Sequence, residues 1–241
     1  MQVKERSGLR YAAMSDTGGR DHNEDAFFTG RVDGHHVFAV ADGLGGHAAG
    51  DVASRTAIEI LTEAAGKGLP ETEPAALLQQ AFQSANTVIH DYNREHHLNA
   101  GTTLSAAIVS DSGRCWIGTV GDSRTHIITP SSVWHTRDQS YVQSLVEAGM
   151  LSPEEAISHP QKNILTRALG LTDRVEVDLD LVELTGAVLV ISSDGLHDYV
   201  PESTIQGIVT RNEPDVACRL LIDAAKDAAG TDNITVIVAR P

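Results

Sequence analysis

Apolar positions along this chain follow two periods, and the boundary between them divides it into strands and helices. Short runs that are continuously apolar or alternate with polar residues occur at 11–14, 26–28, 37–41, 103–110, 114–120, 125–128, 175–181, 187–192 and 234–239, the pattern of strands. The segment 37–41 is apolar at every position, as in a strand buried on both faces. Asp33-Gly34 and Asp111-Ser112-Gly113 separate strand pairs and predict hairpins. Elsewhere the spacing is helical. Val52, Ala53, Thr56, Ala57, Ile60, Leu61 and Ala64 share one face of a helix ending near Gly66. Pro74 opens a second, with Leu78, Ala81, Phe82, Ala85, Ile89 and Tyr92 on one face. Asp138 is placed to cap a helix through Val142, Leu145 and Val146 to Gly149, and Ser152-Pro153-Glu154-Glu155 is a capping box. From there to Asn163 the chain is polar, and about 141–163 is expected to form a mobile surface flap. A last helix carries Val216, Ala217, Leu220, Leu221 and Ala224.

Strands come first, then helices, then strands again. That order lacks the regular alternation of a parallel sheet and predicts an α+β layered domain built on antiparallel hairpins. No repeat, low-complexity tract or linker divides the sequence, so 1–241 is expected to be one domain.

Composition narrows the function more than the fold. A formal net charge of −15 leaves no basic stripe for nucleic acid and repels an anionic membrane, so neither is an expected partner. Cys115 and Cys218 lie in separate elements, which argues against a disulfide framework and against a thiolate zinc site. Residues 1–6 lack an apolar signal region and no apolar run approaches the ~20 residues of a membrane span, so the chain is expected to be cytoplasmic.

The candidate chemistry lies at the strand ends. Glu24, Asp42, Asp122, Asp194 and Asp232 each stand where an apolar strand begins or stops, and four of them touch a glycine or a Gly-Thr pair. Alone, each is ordinary turn chemistry. Five carboxylates on one rim repel unless they are protonated or bound to cations, and all-oxygen ligation favours Mg²⁺ or Mn²⁺ over zinc. Asp42 is best placed to bridge two cations, the Gly43 carbonyl adds an oxygen, and Arg20, four residues before Glu24, offers a planar fork for phosphate.

Seven motifs in order then make a specific resemblance. Arg20-x-x-x-Glu24-Asp25, Asp42-Gly43-x-Gly45-Gly46, Gly101-Thr102-Thr103, Gly121-Asp122-Ser123-Arg124, Thr166-Arg167-Ala168-Leu169-Gly170, Ser193-Asp194-Gly195 and Gly230-Thr231-Asp232-Asn233-Ile234-Thr235 resemble those of the PPM/PP2C metal-dependent serine/threonine protein phosphatases. The resemblance implies a four-layer αββα sandwich, two antiparallel β-sheets flanked by helix pairs. It further implies hydrolysis of phosphoserine and phosphothreonine on proteins by a metal-activated water at a binuclear Mn²⁺/Mg²⁺ centre. By motif position Asp42, Asp194 and Asp232 bind one metal, and Glu24, Asp42 and the Gly43 carbonyl the second. Asp25 supports them from behind, Asp122 with Asp194 matches a weaker third site, and Arg20 matches the phosphate-binding arginine. The flap matches the segment that meets the phosphoprotein. The compact length and the Asp42-Gly43-Leu44-Gly45-Gly46 variant point to a bacterial monomer that opposes a serine/threonine kinase. Leu44 replaces a histidine that many eukaryotic relatives use as the acid, so no side chain is assigned that role. His47 and His197 are near in sequence; packing or capping the next helix is the expectation for His47. Two other readings stay open: a catalytically silent binder of phosphorylated partners, and a phosphatase of an anti-anti-sigma-type regulator.

Overall fold

The computed structural model describes residues 8–45, 48–69 and 72–241, so the expectations for the first six residues, Gly46 and His47 lie outside the described residues. In chain order the elements are β1 (Arg10–Asp16), β2 (Asp25–Val32), β3 (His35–Leu44), α1 (Ala48–Gly68), α2 (Pro74–His96), β4 (Gly101–Thr102), β5 (Leu104–Val109) and β6 (Arg114–Val120). There follow β7 (Arg124–Ile128), β8 (Val133–His135), α3 (Tyr141–Glu147), α4 (Pro153–Ile157), β9 (Asp178–Glu183), β10 (Val188–Ser192), α5 (Asp194–His197), α6 (Glu202–Arg211), α7 (Pro214–Asp227) and β11 (Ile234–Arg240).

Two antiparallel sheets form, one in the order β1-β11-β10-β7-β8 and the other β2-β3-β5-β6-β9, with β4 beside the end of β3. Alternation along the strands explains the layering. Phe38, Val40, Ile117, Leu189, Ile191 and Ile237 point between the sheets and form a closed core there. The intervening residues Val37, Ala39, Ala106 and Ile108 point outward and are covered by Leu61, Leu78, Phe82 and Ile89 of α1 and α2. On the other sheet Val190, Val236 and Val238 are covered by Val209, Leu221 and Ile222 of α6 and α7. The result is the α/β/β/α sandwich that the motifs imply.

Local chemistry accounts for most boundaries. Asp33 (φ 44°) and Gly34 (φ 84°) both take left-handed backbone, which closes the β2–β3 hairpin with the twist its strands need. Ser152 and Glu155 form the expected reciprocal capping box of α4. Several features differ from the sequence reading. Ser140, not Asp138, caps α3 by accepting from the Gln143 N–H, because Asp138 is held by Arg124. Residues 175–177 precede the β9 strand. Helix α6 was not read from the sequence: Ile205, Ile208 and Val209 do hold helical spacing, but they span barely more than one turn. Strand β3 does not stop at Asp42 but runs on to Leu44, where Gly43 and Leu44 pair with Thr102 and Gly101.

The inter-sheet core sets the spacing of the two rims that carry the acids. Leu189, fully buried, lies at its centre. Leu189→Ala is expected to lower stability by about 3 kcal/mol, through lost burial and the cavity left behind. Denaturant unfolding checks this, and a loss under about 1 kcal/mol would mean the sheets are not close-packed there.

Candidate active site

Every strand that carries a candidate acid delivers it to the same end of the sandwich. Asp25 opens β2 directly opposite Asp42 in β3. Asp122 follows β6, Asp194 follows β10, and Asp232 precedes β11, which is antiparallel to β10. Glu24, Asp42, Gly43, Asp122, Asp194 and Asp232 all line one cavity of about 230 Å³, with Arg20 at its edge. These are the sequence-derived site residues, and only Asp25 among them lies behind the cavity wall.

Backbone clamps fix the carboxylates. The Asp42 carbonyl accepts from the Thr103 N–H (2.9 Å) and the Thr102 hydroxyl (2.9 Å), while the Asp42 N–H donates to the Thr103 hydroxyl (2.9 Å). That is what the Gly101-Thr102-Thr103 motif does physically. Gly43 is required by crowding: a Cβ there would lie 2.3 Å from the Gly50 carbonyl oxygen and 2.7 Å from that of Glu24. Asn233 joins the two loops of the rim. Its Oδ1 accepts from the Glu24 N–H (2.8 Å), and its Nδ2 donates to the carbonyls of Thr17 (3.0 Å) and His22 (2.9 Å). Ser193 donates to Asp25 Oδ2 (2.8 Å) and accepts from the Thr235 N–H (3.0 Å).

The electrostatics are those of too many acids in too little water. Burial first, then the charges of Asp25, Asp194, Asp122 and Asp232, push Asp42 well above the ordinary carboxylate range. Burial and the charges of Asp122, Asp198 and Asp232 do the same to Asp194. Asp25 rises to about 6, mainly through burial, and Asp122 to about 7 through burial with Asp138 and Asp198 nearby. One oxygen each of Asp25 and Asp194 is buried with no hydrogen-bond partner among the described residues. Arg20 Nη2 stands 2.8 Å from Asp232 Oδ2 and neutralises that acid.

This donor set fits hard divalent cations. It is all oxygen, it carries excess negative charge, and the unpartnered Asp194 oxygen is an acceptor that lacks a positive group. Among the described residues no three acidic, histidine or cysteine side chains stand close enough to share one cation in this conformation. The carboxylates therefore line a common cavity without converging on a point.

Two residues at this rim, Asp198 and Lys162, were not read from sequence. Asp198, one helical turn beyond Asp194, pairs with Lys162 from the end of the flap (2.6 Å), and Arg124 holds Asp138 through two bonds of 2.7 and 2.6 Å. Reading 194–197 as a helical turn would have found Asp198. Burial, with Arg124 nearby, drives the His197 pKa well below its usual value, and the ring meets Ser192 Oγ at 3.0 Å. It is a neutral, packed histidine. The flap contains the helices α3 and α4, and its ends are joined by a bridge between Ser140 and Leu165.

An antiparallel sandwich with carboxylates and one arginine around a single cavity is the architecture of a metal-dependent phosphoester hydrolase. A family model described as Protein phosphatase 2C matches residues 17–213, and the chain belongs to that family. It is 39% identical over 231 residues to the serine/threonine phosphatase stp of Listeria monocytogenes, spanning 92% of this chain and 91% of that protein. The structure of the serine/threonine phosphatase Stp1 from Staphylococcus aureus superposes with a TM-score of 0.92 at 30% identity, over 100% of this chain and 99% of that one. The catalytic domain of the serine/threonine protein phosphatase PstP, in complex with two manganese ions, gives a TM-score of 0.85 at 35% identity, over 96% of this chain and 97% of that one. No helix among the described residues is long and apolar enough to cross a membrane.

The raised carboxyl pKa values have a sign that stability measurements can read. A raised carboxyl holds its proton more tightly when folded, so its contribution is full below about pH 4 and is lost as pH rises through 6 to 7. For Asp25 alone this is on the order of 2–3 kcal/mol. In chelator, the melting temperature is expected to fall by about 5 °C or more between pH 5 and pH 8. Added Mn²⁺ should remove that fall, because cations replace the protons. A flat or rising melting temperature in chelator would contradict the electrostatics.

Proposed function

We propose that this chain hydrolyses phosphoserine and phosphothreonine monoesters on proteins with Mn²⁺ or Mg²⁺, two per site and a weaker third. The supporting observation is the single cavity lined by Arg20, Glu24, Asp42, Asp122, Asp194 and Asp232. Asp42, Asp194 and Asp232 would hold one cation, and Glu24, Asp42 and the Gly43 carbonyl the second. Asp122 with Asp194 would hold the third. Cations bound there lower the pKa of water and offset negative charge on the phosphoryl oxygens.

The chain's own groups do the rest. Asp25 keeps Asp42 oriented from behind, at the cross-strand position opposite it. Arg20, paired with Asp232 and otherwise exposed at the cavity edge, would offer its remaining N–H groups to phosphate oxygens. Leu44 lines the cavity as an apolar wall and supplies no donor for the leaving serine or threonine oxygen. We assign that proton to no side chain. The flap at 141–163 meets the phosphoprotein, and 1–241 works as one catalytic unit. The partners are a cognate serine/threonine kinase and its targets in a bacterial cytoplasm, and the chain acts as a monomer. A net charge of −15 supports the exclusion of nucleic acid and membrane.

Turnover of p-nitrophenyl phosphate tests this directly. Wild-type protein is expected to turn over with Mn²⁺ and to stop in chelator, and Asp194→Asn should lose at least about 100-fold. Equal rates with and without Mn²⁺ would end the reading. Arg20→Ala is expected to raise KM for p-nitrophenyl phosphate about 10-fold with a smaller change in kcat, as lost ground-state phosphate contacts do. A loss confined to kcat would instead place Arg20 in transition-state stabilisation alone.

A further inference from the structure

A second polar cleft, of about 380 Å³, opens on the side of the sandwich and shares no lining residue with the acidic cavity. Its walls come from β6 and the edge strand β9 of one sheet and from the segment that follows β8, the edge strand of the other. Thr119 and Asp178 face each other across the β6–β9 pair, and Asp180 lies two residues on along β9. Thr136 and Arg137 form the opposite wall.

The polar accounting in this cleft does not close. Asp178 is satisfied by Arg167 (2.8 Å) and Gln139 (2.9 Å), and Arg137 is held by Glu147 at the end of α3. Thr136 accepts from the Thr125 N–H (3.0 Å). Among the described residues Asp180 finds no ion pair or hydrogen bond, although it is half-buried; burial and then the charge of Asp178 raise its pKa. The Thr119 hydroxyl, on a side chain 1% exposed, is buried with no partner among those residues. Buried polar groups in native proteins are nearly always paired, so an orphaned hydroxyl beside an unpaired carboxylate marks a position that a ligand completes. A cation with N–H donors satisfies both groups, since Asp180 only accepts when ionised and the hydroxyl can accept.

The rim adds to this. Trp134 of β8 pairs with Ile127, whose side chain packs on the inter-sheet core, and is 38% exposed on that same face at the open edge. Leu179 is the cleft-lining leucine of β9, whose outer edge has no strand partner among the described residues. An apolar stem ending in a guanidinium or ammonium group matches such a surface, and an acidic chain attracts it.

We propose that this cleft docks an arginine or lysine side chain of the phosphoprotein substrate, with Asp180 and the Thr119 hydroxyl as its partners. The proposal rests on the phosphatase reading above and extends it to substrate choice. Geometry links the two sites: Thr119 lies at the end of β6, the strand that delivers Asp122. Gln139 ties them together, its Nε2 donating to Asp178 and to the Thr119 carbonyl (3.2 Å) while its Oε1 accepts from the Gly121 N–H (2.9 Å). A basic residue in the cleft thus sits beside the rim at which its phosphorylated neighbour reacts.

Steady-state kinetics with three substrates test it, using wild type, Asp180→Asn and Thr119→Val. The substrates are p-nitrophenyl phosphate, phosphorylated myelin basic protein and phosphorylated casein, which is acidic. Asp180→Asn is expected to raise KM for the basic phosphoprotein about 5-fold, the effect of removing one half-buried ion pair, with kcat preserved. Thr119→Val should shift KM in the same direction by less. Rates on p-nitrophenyl phosphate and casein should stay at wild-type values, which also reports intact folding. An unchanged KM for the basic protein, or equal losses on all three substrates, would overturn the docking role. Absence of Mn²⁺-dependent p-nitrophenyl phosphate turnover in wild type would instead overturn the phosphatase reading beneath it.

Discussion

Like charges set directly opposite one another are the constraint on which this structure turns. The β2–β3 register places Asp25 against Asp42, and the ends of β6, β10 and the start of β11 bring Asp122, Asp194 and Asp232 to the same rim. A sheet tolerates such a pair only if something positive lies between the carboxyls. In this conformation protons and Arg20 serve: burial first, then neighbouring acids, raise Asp25 to about 6 and Asp122 to about 7, and Arg20 sits on Asp232. The surrounding fold exists in part to enforce that proximity. Thr102 and Thr103 grip the Asp42 backbone, Ser193 and Thr235 hold Asp25, and the inter-sheet core keeps the two rims at a fixed separation.

Much of this was legible in the sequence, because strands that end in acids carry two strong signals at once. Periodicity located β1, β2, β5, β6, β7, β10 and β11 to within a few residues, and the acids at their ends located the rim. The layered antiparallel architecture followed from strand order. What escaped was decided by tertiary contact. Asp138 has the composition of a cap but is taken by Arg124, so Ser140 caps α3 instead. Asp42 looks terminal because glycine follows it, yet β4 supplies partners that extend β3 by two residues. Asn233 sat within a recognised motif, but only the coordinates show it stitching the Arg20–Glu24 loop to the last strand.

The same rim explains why so many of the motif glycines and threonines carry no charge of their own. Gly43 lets the backbones of β2, β3 and α1 approach within the space of a missing Cβ, which brings Glu24 and Asp42 to one wall. Substitution there would separate the two acids before it touched either. Leu44 next to it keeps the wall apolar. With His197 packed and neutral, the cavity presents carboxyls, amides and one arginine, and no histidine among the described residues. An active site of this composition favours charge neutralisation over side-chain proton transfer as its main contribution.

Gln139 is where these features meet, and its geometry limits how independently they can move. Its N–H and carbonyl bond the Gly121 carbonyl and the Thr166 N–H, and its side chain reaches Gly121, Thr119 and Asp178. It is 4% exposed, so each of these bonds is shielded from water and is expensive to lose. Ser140, the cap of the flap helix α3, follows immediately in the chain. A shift at the base of the flap therefore pulls on the backbone beside Asp122 and on the β6–β9 edge together. Rim, flap base and lateral cleft thus share their hydrogen bonds with one buried residue.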